Sequence, residues 1–246
     1  MANWNDPQPR QGFGASPSLG GQTGARVGFD AGLRRHMLSI YNYMASGVLL
    51  SGIVALLFVM SGAAAAVFTT PLRWVVALAP IGFVFAMSFG VHRMKTSTIQ
   101  LLFWSFAVAM GLSLSSLLLV YTGPSIAATF FATAGAFAGL SLFGYTTKKD
   151  LSGFGMFLTM GVIGLLIAML VNMFFPMPAL AMVISVVGVL IFAGLTAYDT
   201  QRLKNEYYQL AGTEFAGKAV IMGALSLYLD FINMFQFLLS FMGSRD

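Results

Sequence analysis

The stretch GKAVIMGALSLYLDFINMFQFLLSF, residues 217–241, contains only two charged side chains, Lys218 and Asp230. A helix of roughly 20 predominantly apolar residues crosses the hydrocarbon core of a bilayer, so this stretch predicts a membrane-spanning helix. Six further apolar runs precede it, and charges or turn residues separate each run from the next. They cover residues 38–62, 74–91, 98–121, 124–145, 153–175 and 178–198.

The composition of the whole chain agrees with seven spans. Of the 246 residues, 58% are hydrophobic and 9% are charged, whereas a soluble domain carries about 25% charged residues. We therefore predict an all-α integral membrane protein, a bundle of seven transmembrane helices whose main partner is the lipid bilayer. The basic residues behind the net charge of +5 are scattered between the runs, which argues against a nucleic-acid partner. The absence of cysteine excludes disulfides and thiolate metal sites.

The N-terminal residues differ from the rest of the chain. Residues 1–30 contain Pro7, Pro9, Pro17 and repeated Gly and Ser, with no apolar run after basic residues. This pattern is not that of a cleaved signal peptide, and it buries too little apolar surface to fold alone. The sequence predicts a disordered polar tail at residues 1–35 and a seven-span membrane domain at residues 36–246.

Two features concern the fourth run. Only Thr122-Gly123-Pro124 separates it from the third run, but a single helix across both would be about 72 Å long, so we predict a tight hairpin. The fourth run also contains Gly135 and Gly139 at GxxxG spacing, which lets helices approach closely. We expect these glycines to pack inside the bundle, with a dimer face as the alternative.

The basic residues segregate to one side of the seven predicted spans. Cytoplasmic segments carry an excess of Lys and Arg, so the N-terminus is predicted to be cytoplasmic and the C-terminus to lie on the outer face. Arg73 and Arg245 then fall outside. Eleven basic residues fall inside: Arg10, Arg26, Arg34, Arg35, Arg93, Lys95, Lys148, Lys149, Arg202, Lys204 and Lys218.

Two acidic residues lie in or at the edge of the apolar runs. Asp199 directly follows the sixth run and Asp230 lies inside the seventh. An acidic side chain at the bilayer centre costs about 3 kcal/mol or more, so such residues face the bundle interior and mark an ion or proton path. If the two carboxyl groups meet, they share a proton or bind a cation such as Ca²⁺, to which Thr200 and Asn233 can add oxygen ligands.

Other interpretations of these residues stay open. Asp199 can instead be a solvated interface residue beside Arg202 and Lys204. Tyr198 and Tyr228 are close enough in sequence to hydrogen-bond the acids, although a tyrosine in a span is more often a packing residue. The sequence shows no P-loop, dinucleotide fingerprint or HExxH motif and no motif context for an aspartyl protease, so we expect no enzyme activity and no cofactor.

Three strings carry a family resemblance. Ala224-Leu-Ser-Leu-Tyr-Leu-Asp-Phe-Ile-Asn-Met-Phe235 closely resembles the signature of the Bax inhibitor, or transmembrane Bax inhibitor motif, family. Tyr198-Asp-Thr-Gln201 and Thr146-Thr-Lys-Lys-Asp-Leu-Ser152 look like its bacterial members. The resemblance covers residues from about 30 to the end. It implies a bundle in which six helices surround a central seventh, located in the bacterial inner (plasma) membrane.

The resemblance also implies a function. Bacterial relatives are described as pH-sensitive calcium-leak channels, in which two aspartates act as the pH sensor; carried over, these are Asp199 and Asp230. A basic residue near the end of the second span locks the pair in such relatives, and Arg93 or His92 is the nearest equivalent here. The alternative is an interaction protein that modulates a membrane-bound protease or a stress response, with the N-terminal tail as its contact.

The sequence departs from the family at two positions. An acidic residue that some relatives carry in the second span is apolar here, near Ile81, and a basic residue late in the last span is replaced near Ser240. The aspartate pair is unaffected, whereas a path lined by three carboxylates is not expected.

Overall fold

The computed structural model describes the backbone of residues 20–245 and the side chains of residues 31–245. Over this range the chain is helical, and seven of its helices are long and apolar enough to cross a membrane, which confirms the predicted fold class. The helices are α1 (Gly20–Met60), α2 (Ala63–Phe68), α3 (Leu72–Gly90), α4 (Thr96–Leu118), α5 (Gly123–Thr146), α6 (Ser152–Phe174), α7 (Pro178–Leu210) and α8 (Ala216–Met242).

The hairpin between α4 and α5 forms where it was predicted. Thr122 is the N-cap of α5, and its hydroxyl accepts a hydrogen bond from the Ser125 amide. This bond satisfies one of the amides that a helix start leaves without an intrahelical partner. The backbone amide of Thr122 also donates to the Ser244 carbonyl at 3.1 Å, so the C-terminal segment closes against this turn.

The first helix begins earlier than the predicted domain boundary. Residues 1–19 of the predicted tail lie outside the described residues, but residues 20–35 are the first part of α1. Leu33 and Met37, one turn apart on this helix, are both buried in the core. Burial of this face explains why the helix includes residues that the composition assigned to a tail.

The sixth spanning helix is also longer than its apolar run. We expected a polar connection from residue 199 onward, whereas α7 continues to Leu210. Three charged residues at helical spacing, Asp199, Arg202 and Glu206, form salt bridges along this extension, and such pairs stabilise helices. The helix ends just before Gly212, whose φ of 81° suits glycine because it has no Cβ.

The most buried span is α8. It packs against α7, α1, α5 and α4, and Tyr228 at its middle is fully buried, with its hydroxyl 2.7 Å from the Ser51 hydroxyl of α1. That all six other spans surround α8 stays a prediction.

The GxxxG glycines of α5 do not pack inside the described bundle, which corrects the sequence-based expectation. Gly135 and Gly139 are exposed, and a Cβ added at either would meet nothing within 4 Å. The close approach of α5 to α7 occurs instead at Gly144, where an added Cβ would collide with the carbonyl oxygen of Ala197. Spacing alone does not tell which face of a helix turns inward.

Candidate functional site

The buried polar centre of the bundle lies between α7 and α8. Asp199 and Asp230 are 6% and 5% exposed, which is unusual for acidic residues. The carboxyl group of Asp230 lies close enough to that of Asp199 for the two groups to interact. Two carboxylates have acceptors only, so a hydrogen bond between these groups requires that one of them carries a proton.

Asp199 has polar partners on both helices. The hydroxyl of Ser226, on α8, donates a hydrogen bond to Oδ2 of Asp199. Oδ1 lies 3.3 Å from the guanidinium of Arg202, one turn further along α7. Arg202 in turn donates to the Ser226 hydroxyl at 3.0 Å. These three side chains form a closed ring that fixes the Asp199 carboxyl group.

Asp230 is less well satisfied. Its Oδ2 is buried and has no hydrogen-bond partner among the described residues. An ionised carboxylate without partners in an apolar interior costs several kcal/mol or more, and Arg202 is the basic residue whose charge acts on it. The arrangement therefore leaves one carboxylate oxygen available for a proton, a water molecule or a cation.

Arg202 links this centre to the surface. Its side chain is 39% exposed, and its Nε lies 3.4 Å from Glu206 on the next turn. The guanidinium also stands over the Tyr198 ring, 5.8 Å from the ring centroid. Arg202 therefore contacts water on one side and the buried pair on the other.

The expected counter-ions occupy a different place. His92 stacks on Phe215 at a centroid distance of 5.5 Å, and Arg93 lines a surface cavity together with Phe215 and Lys218. The described side chains form two salt bridges, and both use Arg202. Arg202 is thus the partner of Asp199, because α7 continues as a helix and brings it onto the same face.

The four residues expected to support the pair contact the backbone of their own helix, or side chains of the same or a neighbouring helix. Thr200 lies 2.9 Å from the Ser141 hydroxyl and donates to the Thr196 carbonyl. Tyr198 meets Arg202, Tyr228 meets Ser51, and Asn233 donates to the Leu229 carbonyl. Their contacts lie beside the carboxyl pair and position the helices that carry it.

Sequence reasoning missed Arg202 as the partner and did not mention Ser226 or Glu206. The spacing of Asp199, Arg202 and Glu206, three and then four residues apart, was a usable signal for one helix face. Ser226 lies one turn before Asp230 in α8, at a spacing that also places it on the same face.

A cavity lined by apolar and polar side chains lies one helical turn beyond Asp230. It has a volume of about 490 Å³ and is bounded by α6, α7, α8 and the end of α4. Its lining is mostly apolar, but it includes the polar side chains of Asn172, Ser185, Asn233, Gln236 and Ser240. Ser185 and Ser240, on α7 and α8, are hydrogen-bonded to each other at 3.1 Å. Polar groups that line a cavity within a membrane bundle favour water inside it.

The donor set does not resemble a resident metal site. Among the described residues there is no group of three or more His, Cys, Asp or Glu side chains that could hold a metal ion. Ca²⁺ prefers six to eight oxygen ligands, and the pair with Ser226 supplies few of them.

Comparison with known sequences agrees with the family resemblance that three sequence strings indicated. Residues 33–246 match the model of the family described as inhibitor of apoptosis-promoting Bax1. A protein of Caulobacter vibrioides is 52% identical, over 90% of this chain and 93% of its own length. The protein RP147 of Rickettsia prowazekii is 44% identical, over 88% and 92%. The inner membrane protein YbhL of Escherichia coli is 42% identical, over 87% and 94%. The chain belongs to the Bax inhibitor family.

Proposed function

We propose that this protein is a pH-sensitive calcium (cation) leak channel of the bacterial inner membrane, in which Asp199 and Asp230 respond to pH. The observation that carries the proposal is that two buried carboxyl groups, on adjacent helices, lie close enough to interact. A pair of this kind holds one proton in common, because desolvation and mutual repulsion oppose the doubly charged state.

Loss of the shared proton changes the force between α7 and α8. Two unit charges about 4 Å apart repel by roughly 4 kcal/mol at an effective dielectric constant near 20. Arg202 is held by Asp199, Ser226 and Glu206, so it offsets only part of this repulsion. A few kcal/mol is enough to shift a two-state equilibrium by roughly a thousandfold, so the closed packing weakens as the pH rises.

The ion route follows from the polar groups on either side of the pair. Arg202 and Glu206 open toward water at one end, and the cavity lined by Asn233 and Ser185 lies beyond Asp230 at the other. Opening between α7 and α8 would connect these two regions through the carboxylates. The carboxylates would favour a cation over an anion in the narrow part.

The orientation remains the predicted one, with the N-terminus in the cytoplasm. Three contacts support a common side for the basic segments. Lys218 donates to the Val91 carbonyl at 3.1 Å, Lys204 to the Tyr145 carbonyl at 2.8 Å, and Gln201 to the Lys149 carbonyl at 2.7 Å. The loops that carry Arg93, Lys95, Lys148 and Lys149 therefore meet the same end of α7 and α8.

Calcium flux into proteoliposomes tests the proposal. We expect flux to rise with pH in the unmodified protein, and we expect D199N/D230N to lose this dependence because neither amide titrates. Asp150→Asn is the matched control, since Asp150 lies in the exposed loop before α6. A double variant whose flux still follows pH would rule the pair out as the sensor.

The alternative function remains tied to the N-terminal tail. Residues 1–19 lie outside the described residues, so the role of a protease partner stays a sequence-based prediction. Deletion of residues 1–19 discriminates the two, because a channel formed by the helices retains its flux whereas a complex held by the tail is lost.

A further inference from the structure

A lipid-facing groove separates α1 from α5. The first of these helices packs against α4 and α8, and the second against α7 and α8. A cavity of about 600 Å³ remains between residues 34–45 of α1 and residues 137–145 of α5. Its walls are almost entirely apolar, and the small side chains of Ala45 and Ala138 leave the space between the helices.

The dimensions of the groove match one leaflet. From Arg34 to Ala45, α1 rises about 16 Å at 1.5 Å per residue. This is about half of the roughly 30 Å hydrocarbon core of a bilayer. An acyl chain of a single leaflet can therefore lie along the groove with its headgroup at the end marked by Arg34.

The charge at this end is positive. Arg34 lines the groove and is exposed. Tyr145, at the same end, carries a second cation, because Lys204 donates to its carbonyl at 2.8 Å and lies 5.1 Å from its ring centroid. None of the residues that line the groove is acidic. Basic side chains at a membrane surface attract anionic lipids by roughly 1 kcal/mol each.

The floor of the groove is connected to the carboxyl pair. The Tyr41 hydroxyl lies 2.6 Å from the Ser141 hydroxyl, which lies 2.9 Å from the Thr200 hydroxyl. Ser141 and Thr200 are buried, and Thr200 is the neighbour of Asp199 in α7. Anything that separates α1 from α5 therefore acts on the segment of α7 that carries the aspartate.

We propose that this groove binds an anionic glycerophospholipid, with an acyl chain between α1 and α5 and its phosphate near Arg34 and Lys204. Positive charge at one end and an apolar wall of one-leaflet depth together identify this class of ligand. Occupancy would hold Tyr41 and Ser141 in place and so steady α7 at Asp199. This regulatory step rests on the proposed function, whereas the binding step does not.

Native mass spectrometry of the full chain tests the binding step. The protein is delipidated in detergent and titrated with equal amounts of dioleoyl phosphatidylglycerol and dioleoyl phosphatidylcholine. We expect the anionic lipid to be retained preferentially. Arg34→Gln should reduce the preference roughly fivefold, whereas Arg35→Gln, an exposed arginine on the same turn that does not line the groove, should leave it unchanged.

A second pair of variants tests the position. Ala138→Trp should fill the groove and abolish retention of the lipid, whereas Ala136→Trp, exposed elsewhere on α5, should not. Thermal unfolding of both variants confirms that they are folded. Equal retention of the two lipids by the unmodified protein, or equal effects within either pair, would overturn the proposal. So would a dimer that Ala138→Trp dissociates, because a second copy would then occupy the groove. None of these results depends on calcium flux.

Discussion

The helices α6 and α8 both cross the bundle, but they face opposite surroundings. α6 is strongly apolar and turns Phe157, Met160 and Ile163 outward, with more than half of each side chain exposed. α8 has a lower mean hydropathy than α6, yet it is the most buried span. The apolar helix meets the lipid, and the helix with polar groups is shielded from it. Between these two helices, the higher hydropathy belongs to the helix that faces outward and not to the one buried in the protein.

The reason lies in the cost of polar groups in hydrocarbon. A polar or charged side chain on a lipid-facing surface has no partner to satisfy it. Within the bundle the same group finds partners, as Ser226 does with Asp199 and Arg202. A span with several such residues is thus expected to lie inside, and there it can carry the functional chemistry.

The comparison is tested most strongly by matched truncations. Ile221 of α8 is 2% exposed and Ile163 of α6 is 57% exposed. Ile221→Ala should lower the free energy of unfolding by about 2 to 5 kcal/mol, because it leaves a cavity in a packed core. Ile163→Ala should change it by less than about 0.5 kcal/mol. Unfolding in mixed micelles with increasing SDS measures both. Equal losses would contradict the difference between the two helices.

A smaller effect is expected at the basic partner of the buried pair. A nearby cation favours ionised carboxyl groups, so Arg202→Gln should move the midpoint of the pH-dependent flux to higher pH. Because Arg202 is 39% exposed, solvent screening limits the shift to about one pH unit. Arg93→Gln is the matched control and should leave the midpoint in place. If the midpoint shifted with Arg93→Gln and not with Arg202→Gln, Arg93 would be the basic partner of the pair, as the family resemblance implies.

The smallest effect is expected at the exposed carboxylate before α6. Asp150 accepts a hydrogen bond from the Ser152 amide at 2.9 Å, and this contact with Ser152 lowers the pKa of Asp150 from its usual 3.8. A lowered pKa means that the stabilisation is present above pH 3.8 and is lost as the pH falls below it. Asp150→Ala should therefore be slightly less stable near neutral pH and equal to the unmodified protein in acid. Thermal unfolding from pH 3 to 7 measures the difference, and a gap that persists in acid would contradict this origin.

Most of the fold was predictable, and the exceptions share a cause. The seven apolar runs, the turn at Thr122-Gly123-Pro124 and the break between residues 175 and 178 each appear close to their predicted places. The predicted start of α1 and the predicted end of α7 were wrong. Charged and polar residues can continue a helix when one of its faces packs against the protein, and the buried side chains of Leu33 and Leu203 lie on such faces. The length of an apolar run indicates which residues lie in the bilayer, but the helix can extend beyond that run.

The candidate site was predictable in part. Asp199 and Asp230 were chosen from the sequence because acidic residues in apolar runs are costly and rare. Arg202 was treated as a surface residue, because its role depends on α7 continuing as a helix. Ser226 gave no signal of its own, since a serine in an apolar run is common.

The sequence by itself determined the number of spans, their approximate limits and the presence of two costly acids among them. These properties depend on local composition and on the thickness of a bilayer. Only the tertiary structure decided that Gly135 and Gly139 point away from the bundle and that Asp199 and Asp230 lie near each other. Such contacts join residues far apart in the chain, and they depend on which helix faces pack together. No local pattern specifies that choice.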